Sequence, residues 1–148
     1  MSRDLHEPPR RLRLYLDTSA YLCILLGEEG SDRLSRETDP AELLSSVLLV
    51  LEARRNLIRL AREGTLAPDL YKVSLDRLEE DATRFVLRDL TLDLCRSVTV
   101  PAVMTPRSLD LAHLQTALWF HAAEKIDRFV TMDTSQEQAA KELGLPVR

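Results

Sequence analysis

Lysine is nearly missing from this chain. Of 20 basic residues only Lys72, Lys125 and Lys141 are lysines, and the remaining 17 are arginines. The planar guanidinium fork suits phosphate and carboxylate partners, although genome composition produces the same bias. Acids outnumber bases by 24 to 20, and the resulting net charge of −4 excludes a simple basic coat for nucleic acid. Cysteine is scarce too. Cys23 and Cys95 both fall in apolar, helix-like runs with no metal-ligand spacing, the pattern of reduced, buried thiols in a cytosolic protein. No apolar run approaches the roughly 18 residues of a membrane span, and no signal peptide is visible, so the expected location is the cytoplasm. Internal repeats, low-complexity tracts and a linker to a second domain are also missing.

What is present fits one domain. The chain has 148 residues, 45% of them hydrophobic, enough to bury a real core. Met1 to Arg11 is polar and carries Pro8-Pro9, which marks a flexible arm, with a single domain from Leu12 to Arg148. Leu12–Leu16 reads as a strand, followed by the apolar helical run Ala20–Leu26. Gly27–Asp39 is a loop or short helix, Glu42–Ser46 a second strand, and Val47–Arg62 a helix stopped by Gly64. Ala67-Pro68-Asp69 opens another helix, with Leu70, Val73 and Leu78 as its apolar set. Arg84–Arg88 is strand-like and Thr91–Val98 a short helix. Pro106 and Ser108 then start a helix whose stripe runs through Leu114, Ala117, Leu118 and His121. Phe129–Met132 is the last strand, and Thr134 with Glu137 has capping-box spacing for the last helix.

Four acids stand out by position. Asp17 and Asp133 each close a strand where a helix begins, the edge of an open α/β sheet at which ligands bind. Aspartate is also a favoured N-cap, which is the plainer reading of both, although Thr18 or Ser19 could cap the first helix without Asp17. Glu52 borders the buried face of its helix, where an ion pair with Arg55 or Arg59 is the plainer reading. Asp110 falls in the opening turn of its helix on the core-facing side, a costly place for a charge unless something cationic meets it. Asp93 reads as a solvated first-turn acid, and His113 and Trp119 as core or rim residues rather than ligands. Gathered without a cation, Asp17, Glu52, Asp110 and Asp133 would repel one another. Oxygen-only ligation suits Mg²⁺ or Mn²⁺ rather than zinc, and such sites serve phosphoryl transfer or phosphodiester hydrolysis.

The ordered segments Leu-Asp17-Thr-Ser-Ala, Ser-Ser-Val-Leu-Leu-Val-Leu-Glu52, Arg107-Ser-Leu-Asp110-Leu-Ala-His113-Leu-Gln-Thr-Ala and Phe-Val-Thr131-Met-Asp133, trailed by Leu-Gly144-Leu-Pro-Val, resemble those of PIN-domain ribonucleases. Within that group the chain is most similar to the VapC toxins of type II toxin–antitoxin systems. The resemblance implies a three-layer α/β/α sandwich around a central, mainly parallel sheet. It further implies that Asp17, Glu52, Asp110 and Asp133 bind Mg²⁺ or Mn²⁺, with Thr131 helping to position water or metal. The implied partners are an RNA substrate, a cognate antitoxin covering the acidic groove and a second copy in a homodimer. RNA approaching four carboxylates also needs cations at the rim, for which Arg54, Arg55, Arg59 and Arg107 are the candidates. Two other readings compete. A haloacid-dehalogenase-like phosphatase would use Asp17 as nucleophile but wants an acid where Ser19 stands, and a non-catalytic PIN-like scaffold would bind RNA without cutting it.

Overall fold

The computed structural model describes residues 10–97, 103–104 and 107–148. Among these residues β1 (Arg13–Leu16), β2 (Glu42–Ser46), β3 (Phe85–Arg88) and β4 (Arg128–Val130) form one sheet, every pairing parallel, in the order β3-β2-β1-β4. Parallel neighbours need crossover connections, and helices supply them. Helices α1 (Thr18–Leu26) and α2 (Ser31–Thr38) join β1 to β2, and α3 (Leu48–Arg62) and α4 (Pro68–Ala82) join β2 to β3. Helices α5 (Leu92–Cys95) and α6 (Ser108–Ala123) precede β4, and α7 (Thr134–Glu142) follows it.

Alternate strand residues feed two cores. Leu14, Leu16, Leu43, Phe85 and Val130 pack with Ala20, Leu49, Leu57 and Leu78 from α1, α3 and α4. Tyr15, Leu44 and Phe129 pack on the other face with Leu114, Ala117 and Phe120 of α6 and Ala139 and Ala140 of α7. Covered on both faces, β1 is buried at every position rather than alternating with solvent. This is the three-layer α/β/α arrangement that the resemblance implies. Chain order reverses at β1, with β2 and β3 on one side and β4 on the other. The carboxyl ends of β1 and β4 therefore flank a topological switch point, the place where open α/β sheets bind ligands.

Several local expectations are corrected. Strand β4 stops at Val130 rather than Met132, because the next two residues bond to side chains: Thr131 Oγ1 donates to Asp17 Oδ2 at 2.5 Å, and Met132 N–H to Ser19 Oγ at 2.9 Å. The capping box expected of Thr134 and Glu137 is replaced by Asp133, whose Oδ1 accepts from the N–H groups of Ser135 and Gln136. On α4 the inward stripe is half-buried Tyr71 and Leu75 with fully buried Leu78, at i, i+4 and i+7, whereas Leu70 and Val73 are 58% and 61% exposed. Cys23 is buried as expected, but Cys95 is exposed on the single turn of α5. Gly27–Asp39, by contrast, contains a short helix, α2, one of the two readings expected of it. In the expected arm, Arg10 pairs with Asp127 at 2.5 Å and Arg11 donates to the carbonyls of Pro40 and Ala41. Residues 1–9 of that arm, Val98 and Pro106 lie outside the described residues.

Candidate active site

The end of β1 builds the centre of the site. Asp17 N–H donates to Val130 O at 3.1 Å, hooking the tip of β1 onto β4. Its side chain caps α1: Oδ1 accepts from Ala20 N–H at 3.1 Å and from Ser19 Oγ at 2.7 Å, while Oδ2 accepts from Thr131. The residue is 4% exposed. Burial pushes its carboxyl above the ordinary carboxylate range, and the hydrogen bonds from Thr131 and Ser19 pull it back down. Capping by Thr18 or Ser19 is therefore corrected, since both hydroxyls turn to carboxylates instead. Cap and site acid are one residue here, so the plainer reading of Asp17 does not exclude the chemical one.

The other three acids arrive from three helices. Glu52 on α3 forms no ion pair with Arg55 or Arg59; its Oε1 accepts from Thr18 Oγ1 at 2.8 Å and lies 2.9 Å from His113 Nε2. Arg59 instead pairs with Glu63 at 3.2 Å, and Arg54 with Glu79 at 3.5 Å. Asp110 stands in the first turn of α6, half-buried. Burial raises its carboxyl above the ordinary range, the charges of Asp133, Asp17 and Glu52 raise it further, and His113 offsets part of this. Asp133, the cap of α7, is exposed. Buried Gln136 fixes the last two relative to each other, because its Nε2 donates to the Asp110 carbonyl at 2.8 Å while its backbone N–H is held by Asp133.

Asp17, Glu52, Asp110 and Asp133 all line a single open cavity of about 350 Å³ at the switch point. Thr18, Ser19, Asn56, His113 and Arg107 share its wall, and Thr131 stands behind Asp17, bonded to it. Of the arginines expected at the rim, Arg107 lines the cavity, Arg54 and Arg59 are held in surface pairs, and Arg55 is exposed on α3. Among the described residues no three His, Cys, Asp or Glu side chains stand close enough together to hold a metal ion between them. Mg²⁺ needs no such trio, since it takes one or two carboxylates directly and keeps several waters. Carboxylate and hydroxyl oxygens around an open, repulsive cavity fit such a hydrated hard cation. Sequence reasoning overlooked Thr18, Gln136 and the bonding of His113. His113 was marked by its place three residues after Asp110 on the same helix face, and Thr18 by opening the helix that Asp17 caps. No local pattern marks Gln136.

No family model matches the chain. It is 33% identical over 139 residues to Ribonuclease VapC35 of Mycobacterium tuberculosis, in strains CDC 1551 / Oshkosh and ATCC 25618 / H37Rv alike, a match covering 90% of this chain and 94% of that protein. One identical residue in three along nearly the whole length, together with the three-layer sheet and the four convergent acids, settles the kinship: the chain belongs to the VapC family of PIN-like ribonucleases.

Proposed function

We propose that this protein is a metal-dependent endoribonuclease that hydrolyses RNA phosphodiester bonds as the toxin of a type II toxin–antitoxin pair in the cytoplasm. The observation that carries the reading is the convergence of four carboxylates on one cavity, where mutual repulsion helps to raise the Asp110 carboxyl. Mg²⁺ or Mn²⁺ would be held by Asp17, Glu52, Asp110 and Asp133, directly or through water, and would supply an activated water and neutralise charge on the scissile phosphate. The chain's own residues prepare the place. Thr131, Ser19 and the Ala20 N–H hold the Asp17 carboxylate in one orientation, and Thr18 holds that of Glu52. Arg107, on the cavity wall, meets a flanking phosphate. Arg54 and Arg59 join from α3 at little cost, because exposed ion pairs such as theirs contribute only about 0–1 kcal/mol.

The same acidity admits an inhibitor. An arginine from an antitoxin could enter, pair with the carboxylates and exclude the metal. A homodimer is part of this proposal, carried by the family resemblance. No helix among the described residues is long and apolar enough to cross a membrane. The test is cleavage of single-stranded or looped RNA by the purified protein, expected with Mg²⁺ or Mn²⁺, lost in EDTA or on Asp17→Ala, and weakened by added salt. Cleavage that persists unchanged in EDTA refutes the mechanism, and metal binding by a folded protein that never cuts RNA identifies a non-catalytic scaffold.

A further inference from the structure

Glutamate is a long side chain, and one that must present a carboxylate to a cavity in a fixed pose loses rotamer freedom unless neighbours hold it. Glu52 is held from below by a buried chain of polar groups. Tyr15 Oη lies 2.8 Å from His113 Nδ1, and His113 Nε2 lies 2.9 Å from Glu52 Oε1 and 3.1 Å from Thr18 Oγ1. His113 is 2% exposed and Tyr15 wholly buried. The Tyr15 ring is itself clamped, stacked on Phe129 with centroids 5.4 Å apart and tilted against Phe120 at 6.2 Å. These partners come from β1, α1, α3 and α6, so the chain ties both helical layers to the sheet through one imidazole. Buried as it is, His113 needs partners for both ring nitrogens, and one of those partners is an acid of the cavity.

We propose that His113 is a positioning residue: anchored by Tyr15, it donates from Nε2 to Glu52 Oε1 and so fixes the Glu52 carboxylate with Oε2 left for the occupant of the cavity. The direction follows from donor inventory. An ionised carboxylate only accepts, so the ring nitrogen facing it carries the hydrogen, and Nδ1 is left to accept from the Tyr15 hydroxyl. Thr18, the second donor to Oε1, closes a triangle that holds that oxygen from two sides. What Glu52 does for the cavity rests on the metal-dependent reading above. What His113 does for Glu52 rests on hydrogen-bond geometry alone. Residues that orient a metal-facing ligand in this way typically change metal affinity or activity by about 10- to 100-fold when replaced.

The experiment has two arms. Nitrogen-15 NMR of the metal-free wild type is expected to find the His113 ring hydrogen on Nε2, and a ring carrying it on Nδ1 alone overturns the proposal whether or not the protein cuts RNA. Calorimetric titration with Mn²⁺ alone then compares wild type, His113→Leu, His113→Gln and Tyr15→Phe. His113→Leu should bind Mn²⁺ about 10- to 100-fold more weakly. His113→Gln, which keeps an N–H for Glu52, should recover most of that loss, and Tyr15→Phe should lie between. RNA cleavage should show the deficit in kcat rather than in KM. Should His113→Leu fail to fold, the glutamine and phenylalanine variants carry the test. Folded His113 variants that bind Mn²⁺ as wild type does refute the positioning role even if the wild type cleaves RNA. The expected Mn²⁺ series in a protein that cuts no RNA keeps the positioning role and removes only the ribonuclease reading.

Discussion

Replacing Asp110 by asparagine should raise the stability of the metal-free protein while abolishing RNA cleavage. The Asp110 side chain is half-buried and faces the charges of Asp133, Asp17 and Glu52, with His113 acting in the opposite sense. A pair of like charges 4 Å apart in water-like surroundings repels by about 1 kcal/mol. Spread over three neighbours across an open cavity, and partly offset, a relief of about 1 kcal/mol is the expected magnitude. At this chain length that amounts to about 2–4 °C in Tm. Asparagine keeps the shape, so little packing is lost. The order should reverse with metal, because Mn²⁺ at 100 times its Kd adds about 2.7 kcal/mol to a protein that binds it and less to one that binds it poorly. The pH dependence has a definite sign. A carboxyl whose folded pKa is raised holds its proton longer in the folded state, so the stability present below the ordinary value near pH 3.9 is lost as pH rises through the raised one. The advantage of Asp110→Asn should therefore grow with pH over that window. Differential scanning calorimetry in EDTA and in Mn²⁺ reads both effects. A variant less stable than wild type in EDTA would refute the repulsion and make Asp110 a structural partner.

Thr131→Val removes the hydroxyl that donates to buried Asp17 Oδ2, and a lost hydrogen bond to a charged group costs about 1.5–3 kcal/mol. Thermal unfolding should move down by several degrees, and an unchanged Tm would show that Asp17 does not depend on it. At the opposite end of the sheet, Arg128 beside Glu37, 2.5 Å away, holds that carboxyl below the ordinary range. This stability is present above the ordinary glutamate value near 4.3 and is lost as pH falls through the lower folded one, so Arg128→Met should cost up to about 1 kcal/mol at pH 7 and less at pH 3 in urea titrations. Tyr21→Phe deletes the hydroxyl that donates to Asp81 at 2.8 Å and should cost about 1.5 kcal/mol by urea titration, the low end for a bond to a charged group because this one is only partly buried, without altering Mn²⁺ affinity, as it joins α1 to α4 away from the cavity.

The fold was legible where the chain is regular. Leu12–Leu16 and Glu42–Ser46 announce β1 and β2 because both faces of a central parallel strand are buried, leaving apolar runs closed by polar residues. The four acids were legible by placement, since Asp17 closes β1, Asp133 caps α7 just beyond β4, and Glu52 and Asp110 face inward from α3 and α6, positions that the switch point at β1 gathers onto one cavity. What stayed hidden depends on pairing across long separations. Nothing near Glu52 says that Thr18 and His113, 34 and 61 residues away, outcompete Arg55 and Arg59 for its carboxylate. The end of β4 was misplaced for a related reason: Thr131 continues a β-type run in sequence, but in space its hydroxyl belongs to Asp17, 114 residues earlier. The expected apolar set of α4 failed differently, because Leu70, Val73 and Leu78 do not share a stripe at 3.6 residues per turn, and Tyr71, Leu75 and Leu78 do.

The central claim is that Asp17, Glu52, Asp110 and Asp133 form a seat for a divalent cation. Anomalous diffraction from a crystal of the wild-type protein equilibrated with Mn²⁺ tests it most directly. The expected result is an anomalous peak in the cavity at the carboxyl ends of β1 and β4, coordinated by carboxylate oxygens and water and absent from Asp17→Ala crystals. An empty cavity at a Mn²⁺ concentration that supports RNA cleavage would contradict it.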